Sequence, residues 1–147
     1  MEQLKHVEIL LVEDNPLDAE LTMRGLESAK VCNKVIWLND GDLALDYLLR
    51  RGSYADRDGP DPGVILLDLK MPRVDGMEVL TQLKANESTR RIPVVVMTSS
   101  HEEQDMVRSY DLGVNSYVVK PVEFDDLTEL ARHAGFYWLV LNQRPVD

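Results

Sequence analysis

The chain has 147 residues, of which 26 are acidic and 16 basic, giving a formal net charge of −10, and 44 % are hydrophobic. That composition suits one globular domain and is too apolar for a disordered chain. Acids exceed bases throughout, so clustered Lys and Arg that would release counterions from DNA or RNA, or hold an anionic membrane, are not expected; neither partner is predicted. Cys32 is the single cysteine, which excludes an internal disulfide, and no Cys/His cluster suggests zinc. Residues 1–13 lack a secretory leader pattern, and no apolar run approaches the about 20 residues of a membrane span. The expected location is the cytoplasm.

Short apolar runs at 9–12, 35–38, 64–67, 94–97 and 117–119 are rich in Val and Ile and apolar on both faces, as buried parallel strands are. After the first, Asn15 can cap a helix with Pro16 at its first position, and Leu17, Leu21 and Leu26 follow. The second interval carries Leu43, Leu45, Leu48 and Leu49, then Arg50-Arg51-Gly52, a cationic last turn with a C′ glycine. Residues 52–63, with two prolines and three aspartates, read as a long loose surface loop. Asp75-Gly76-Met77-Glu78 resembles a capping box before Val79, Leu80 and Leu83. Ser100-His101-Glu102-Glu103 resembles another, leading to a helix that stops at Gly113; a last helix should run from after Pro121 to about residue 141. This alternation predicts an α/β, doubly wound parallel sheet with helices on both faces, in one domain spanning 1–147.

Ligands of such folds bind beyond the carboxyl ends of the strands. Glu13-Asp14-Asn15, Asp68, Thr98-Ser99-Ser100 and Lys120-Pro121 stand there. Singly, each has an ordinary explanation: a helix cap, a turn residue, a strand-end hydroxyl, a solvated cation. Together they are harder to dismiss, because adjacent strand ends lie about 5 Å apart. Carboxylates gathered so closely raise one another's pKa and destabilise the fold unless a cation intervenes. Oxygen ligands with room for water suit Mg²⁺ better than a transition metal. An opposed lysine and a hydroxyl would complete a site able to hold a transferring phosphoryl group, with a carboxylate attacking phosphorus.

Leu10-Leu11-Val12-Glu13-Asp14-Asn15, Leu66-Leu67-Asp68-Leu69-Lys70-Met71-Pro72 with Asp75-Gly76, Met97-Thr98-Ser99, and Tyr117-Val118-Val119-Lys120-Pro121 resemble a response-regulator receiver domain over roughly residues 6–141. The resemblance implies a flavodoxin-like sheet of strand order 2-1-3-4-5 and a phosphoryl group taken from the phosphohistidine of a sensor histidine kinase. It places Asp68 as phosphoacceptor and Asp14 and Asp68 as ligands of Mg²⁺, or of Mn²⁺ or Ca²⁺ in its place. Glu13 would act on the metal through water, and the Lys70 backbone carbonyl would be a further ligand. Thr98 and Lys120 would contact the phosphoryl oxygens, the Lys120–Pro121 peptide would be cis, and Tyr117 would be an aromatic switch. The loop at 52–62, Arg91-Ile92-Pro93-Val94-Val95-Val96, Thr98-Ser99-Ser100-His101 and Phe136-Tyr137-Trp138 look like the stand-alone receivers that serve bacterial phytochrome kinases.

Only residues 142–147 follow the last predicted helix, so no output domain is expected and the signal should leave through the face of helix 102–112, strand 116–119 and helix 123–141. In that last helix Leu127, Ala131, Ala134, Trp138 and Leu141 form one stripe for the sheet. Phe136, Tyr137 and Val140 fall off it, which predicts a homodimer through this surface. An aspartyl-phosphate hydrolase is disfavoured, because the general-acid position two residues after Asp68 holds Lys70. A phosphorylation-independent interaction module would lack an acceptor, metal ligand or lysine, and none is missing. No GxSxG elbow surrounds Ser99 or Ser100, no phosphate-binding glycine loop occurs, His101 near the pocket reads as a polar residue of a helix's first turn, and His6 and His133 have no evident partners. The chain is therefore expected to be a phosphoacceptor that assists its own phosphorylation and dephosphorylation, and not otherwise an enzyme.

Overall fold

A computed structural model describes residues 8–28, 33–114 and 116–120. Strands β1 (Ile9–Val12), β2 (Val35–Leu38), β3 (Val64–Asp68), β4 (Val94–Thr98) and β5 (Ser116–Val119) pair in parallel in the order β2-β1-β3-β4-β5. The helices are α1 (Pro16–Ser28), α2 (Gly41–Leu49), α3 (Gly76–Ala85) and α4 (His101–Ser109). The predicted last helix, Cys32, His6 and His133 lie outside the described residues.

Alternation along the strands divides the core. Leu10, Val12, Ile65, Leu67, Val94 and Val96 meet Leu45 and Leu48 of α2, Leu80 and Leu83 of α3 and Val107 of α4. Ile9, Leu11, Val64, Leu66, Val95, Met97 and Val118 meet Ala19 and Leu26 of α1 on the other face. β1, β3 and β4 are buried at every position, as strands apolar on both faces should be. β2 departs from that expectation: Val35 and Ile36 are half-buried and Trp37 is exposed, because an edge strand has one neighbour.

Several local expectations are corrected. In α1 the buried residues are Ala19, Thr22, Gly25 and Leu26, whereas Leu17 is 63 % and Leu21 39 % exposed. The small side chains let the helix lie against the sheet, and the two leucines point to solvent. α2 ends at Leu49, and Arg50, not a glycine, takes the left-handed cap at φ 56°. Its guanidinium compensates by donating to the Arg57 and Gly59 carbonyls and to Asp61. The segment 52–63 is accordingly far from loose. It opens with a 3-10 turn (Gly52–Tyr54), and Arg57 lies 4.2 Å over the Tyr47 ring while donating to the Tyr47 carbonyl at 2.8 Å. α4 stops at Ser109, before Gly113, with Tyr110 as its C-cap. Among the described residues, no helix is long and apolar enough to cross a membrane.

The turn after β3 depends on a close approach. Asp75 caps α3 by accepting the Glu78 N–H at 2.9 Å, and the Gly76 N–H donates to the Leu69 carbonyl at 2.9 Å. A Cβ at Gly76 would stand 2.4 Å from the Asp68 carbonyl oxygen and 2.6 Å from the Leu69 Cα, both backbone atoms that cannot step aside. Gly76→Ala is expected to cost about 1–3 kcal/mol in urea unfolding, through displacement of the strand end that carries Asp68.

Candidate functional site

Four strand ends converge beyond the sheet. β1 delivers Glu13, whose N–H donates to the Leu38 carbonyl at 3.1 Å, followed by Asp14. Asn15 then starts α1, its Oδ1 accepting the N–H groups of Leu17 at 2.9 Å and Asp18 at 3.1 Å. β3 ends in Asp68, held by the Leu69 N–H donating to the Met97 carbonyl at 3.1 Å. Thr98 ends β4, and its carbonyl accepts the Lys120 N–H at 2.7 Å, which fixes the lysine at the end of β5. The topology reverses between β1 and β3, so this is the switch-point crevice where such sheets hold ligands.

The charges are crowded and mostly buried. Carboxylate oxygens of Glu13, Asp14 and Asp68 all lie within 4.8 Å of one another. Glu13 is fully buried and Asp68 is 2 % exposed. The Lys120 ammonium sits among carboxylates, 3.3 Å from Glu13 Oε1, 3.1 Å from Asp68 Oδ1 and 3.1 Å from Asp18 Oδ2. Glu13 Oε2 also accepts the Asn15 N–H at 3.2 Å. Burial first, and then the Asp68 charge, raise the Glu13 carboxyl to about 7, against the smaller opposing pull of the Asn15 N–H and Lys120. Burial likewise raises Asp68, with Lys120 as the chief counterweight. Burial disfavours the Lys120 charge, yet the Asp68 and Glu13 carboxylates outweigh it and hold the ammonium above its ordinary range.

Among the described residues, two buried side-chain polar atoms have no hydrogen-bond partner: Asp68 Oδ2 and Thr98 Oγ1. On adjacent strand ends, the carboxylate oxygen is left open to a cation or an electrophile, and the hydroxyl can donate to an oxygen of an incoming group. The donor set also fits a hard divalent cation: three carboxylates, no sulfur or imidazole, and a charge excess that one ammonium does not neutralise. Glu13, Asp14 and Asp68 are the residues that would hold it.

The structure thus gathers Glu13, Asp14, Asp68, Thr98 and Lys120. Tyr117 stands apart on β5, half-buried against the α2/α3/α4 side of the core, with the Arg108 guanidinium 4.7 Å over its ring. Lys70 borders the site with its backbone N–H, which favours the charged Asp68 carboxylate, while its ammonium pairs with Glu103 at 2.9 Å. The cis peptide expected at Lys120–Pro121 and the interface residues Phe136, Tyr137 and Val140 lie outside the described residues. Sequence reasoning missed Asp18 as a partner of Lys120, although its place one helical turn beyond Asp14 could have suggested it. It also missed Trp37, whose Nε1–H donates to the Glu13 carbonyl at 2.8 Å from the edge strand. A cleft of about 810 Å³, lined by Glu8, Lys34, Tyr47 and Tyr54 among others, lies at the opposite end of the sheet from these carboxylates.

Residues 9–132 match the response regulator receiver domain family. The chain is 46 % identical over 138 residues to the probable methanogenesis regulatory protein FilR2 of Methanothrix harundinacea, covering 93 % of this chain and 86 % of that one. It is 41 % identical over 131 residues to the response regulator Rcp1 of Synechocystis, covering 89 % of this chain and 88 % of Rcp1. A solved structure of Rcp1 is its Mn²⁺-bound form, with a TM-score of 0.72 and 39 % identity over 95 % of this chain and 99 % of that one. The solved bacteriophytochrome response regulator RtBRR superimposes with a TM-score of 0.88 at 52 % identity, covering 96 % of this chain and 85 % of that one.

Because the folded Glu13 carboxyl is raised from 4.5 to about 7, the cation-free fold favours its protonated form. The stability this contributes is full below the ordinary value and is lost as pH rises through about 7. A divalent cation competes with that proton, so millimolar Mg²⁺ should raise the melting temperature clearly at about pH 8 and little at about pH 5.5. Circular-dichroism melts with and without Mg²⁺ at both pH values check this; an equal effect at both would contradict the charge assignment.

Proposed function

The chain belongs to the response-regulator receiver family, and from that premise we propose that Asp68 is the phosphoacceptor of a two-component signalling pathway. One observation carries the reading: Asp68 is buried with one oxygen on Lys120 at 3.1 Å and the other unpartnered, and the end of the adjacent strand β4 carries the unpartnered Thr98 hydroxyl. The carboxylate oxygen attacks phosphorus as the bond from phosphorus to a kinase histidine nitrogen breaks, leaving that imidazole neutral. Lys120 orients Asp68 and offsets charge on the phosphoryl oxygens, and the Thr98 hydroxyl donates to one of them. Hydrolysis later breaks the Asp68 O–P bond, with the water oxygen retained in released phosphate. A divalent cation held by Asp14 and Asp68, by Glu13 through water and by the Lys70 carbonyl would neutralise part of the charge gathered during transfer. Mg²⁺ is the proposed ion, with Mn²⁺ or Ca²⁺ able to replace it; Rcp1 has a Mn²⁺-bound form.

The donor we propose is a bacterial phytochrome histidine kinase. The 52 % identity and 0.88 TM-score to a bacteriophytochrome response regulator support it. A second reading, a receiver serving another kinase, is favoured by the 46 % identity to a probable methanogenesis regulator. Near-complete coverage of Rcp1 supports a receiver that works as one domain and signals through its own surface. That surface comprises α4 and β5, where Tyr117 and Arg108 lie, together with the predicted last helix, and Phe136, Tyr137 and Val140 on it would form a homodimer contact. Transfer of radiolabelled phosphoryl from an autophosphorylated bacteriophytochrome should label the chain, and Asp68→Asn should reduce the label to background. Full labelling of the Asp68→Asn protein would overturn the acceptor assignment; labelling by other kinases alone would overturn the phytochrome link.

A further inference from the structure

α4 begins with an arrangement that exceeds what a helix cap needs. Ser100 caps it, its Oγ accepting the Glu103 N–H at 3.3 Å. In a capping box the third helical glutamate returns the bond to the cap residue's own N–H. Glu103 instead reaches one residue further, its Oε1 accepting the Ser99 N–H at 2.8 Å, immediately after Thr98. Its other oxygen, Oε2, crosses to the loop after β3 and pairs with the Lys70 ammonium at 2.9 Å. One carboxylate, 12 % exposed, therefore joins the two loops that flank Asp68. Beneath the bridge runs a groove of about 440 Å³ lined by Leu69, Met71, Pro72, Met77 and Met106.

The donors that Glu103 occupies are those a group on Asp68 would seek. Lys70 lies two residues beyond Asp68, its backbone N–H favours the charged Asp68 carboxylate, and its side chain is 74 % exposed. A phosphoryl group brings close to two negative charges and three strong acceptor oxygens. It would repel the Glu103 carboxylate and draw on the same two donors.

We propose that Glu103 is a positioning residue for the phosphoryl site, holding Lys70 and the Ser99 N–H in the free chain and yielding both when Asp68 is phosphorylated, which releases the first turn of α4. The inference rests on the phosphoacceptor reading of Asp68. It supplies a mechanical link, because the residue displaced by the charge is part of the helix that carries Arg108 to Tyr117.

Beryllofluoride with Mg²⁺, a noncovalent mimic of an aspartyl phosphate, tests it at equilibrium. Glu103→Gln should tighten beryllofluoride binding about two- to fivefold, and Lys70→Met should weaken it by a similar factor. Glu102→Gln, the same charge change at an exposed neighbour on the same turn, should leave it unchanged. Amide exchange in the first turn of α4 should quicken on beryllofluoride binding in the parent chain. If Glu103→Gln and Glu102→Gln behaved alike, or if that turn became more protected on binding, the proposal would be overturned. Beryllofluoride binding that survives in Asp68→Asn would instead overturn the acceptor reading itself, so the two failures are distinguishable.

Discussion

Glu13 and Asp68 bury their carboxyl groups side by side against a single ammonium, and the rest of this end of the molecule is arranged around that arrangement. With Asp14 and Asp18 added, the negative charge exceeds what Lys120 can neutralise. A buried surplus must be met by a proton or by a cation, because desolvation penalises each uncompensated charge. The raised Glu13 carboxyl is the cation-free answer. The backbone bonds from Leu69 to Met97 and from Lys120 to Thr98 hold the groups together against their repulsion. The closeness of Gly76 to the Asp68 carbonyl locks the third strand end in the same way.

Much of this was legible in the sequence, for reasons that can be stated strand by strand. Runs such as Val64–Asp68 and Val94–Thr98 are apolar on both faces because parallel strands under helices have no wet side. The strand order then brought Glu13, Asp14, Asp68, Thr98 and Lys120 to one place. Where tertiary contact outweighed local pattern, sequence reasoning failed. Leu17 and Leu21 have helical spacing, yet α1 buries Ala19, Thr22 and Gly25, since the packing of a helix against a sheet selects for closeness as well as for apolar character. Arg50 adopts a conformation usually left to glycine, because its own side chain ties down the loop that follows. Asp18 and Glu103 look like ordinary first-turn acids, and only side-chain direction reveals that one meets Lys120 and the other Lys70.

The β5 side of the sheet is built from weaker interactions than the site. Tyr117 is neither fully enclosed nor free, with Arg108 stacked on it from an exposed position on α4. Contacts of this kind have free energies of about 1 kcal/mol, comparable to the bias that a change of charge at the strand ends can exert. A core as closely packed as the β1/β3/β4 layer could not respond to so small a bias, whereas a ring under an exposed guanidinium can. Rigid centre and responsive rim are thus divided between the middle of the sheet and its β5 side.

The indole of Trp37 gives the acid cluster an optical handle. Its N–H is bonded to the backbone of Glu13 while its ring lies partly in solvent on the edge strand β2. Tryptophan emission depends on what the indole N–H is bonded to and on how much water touches the ring. The chain therefore carries, one hydrogen bond from the backbone of Glu13, an intrinsic chromophore able to register events at the strand ends without any label.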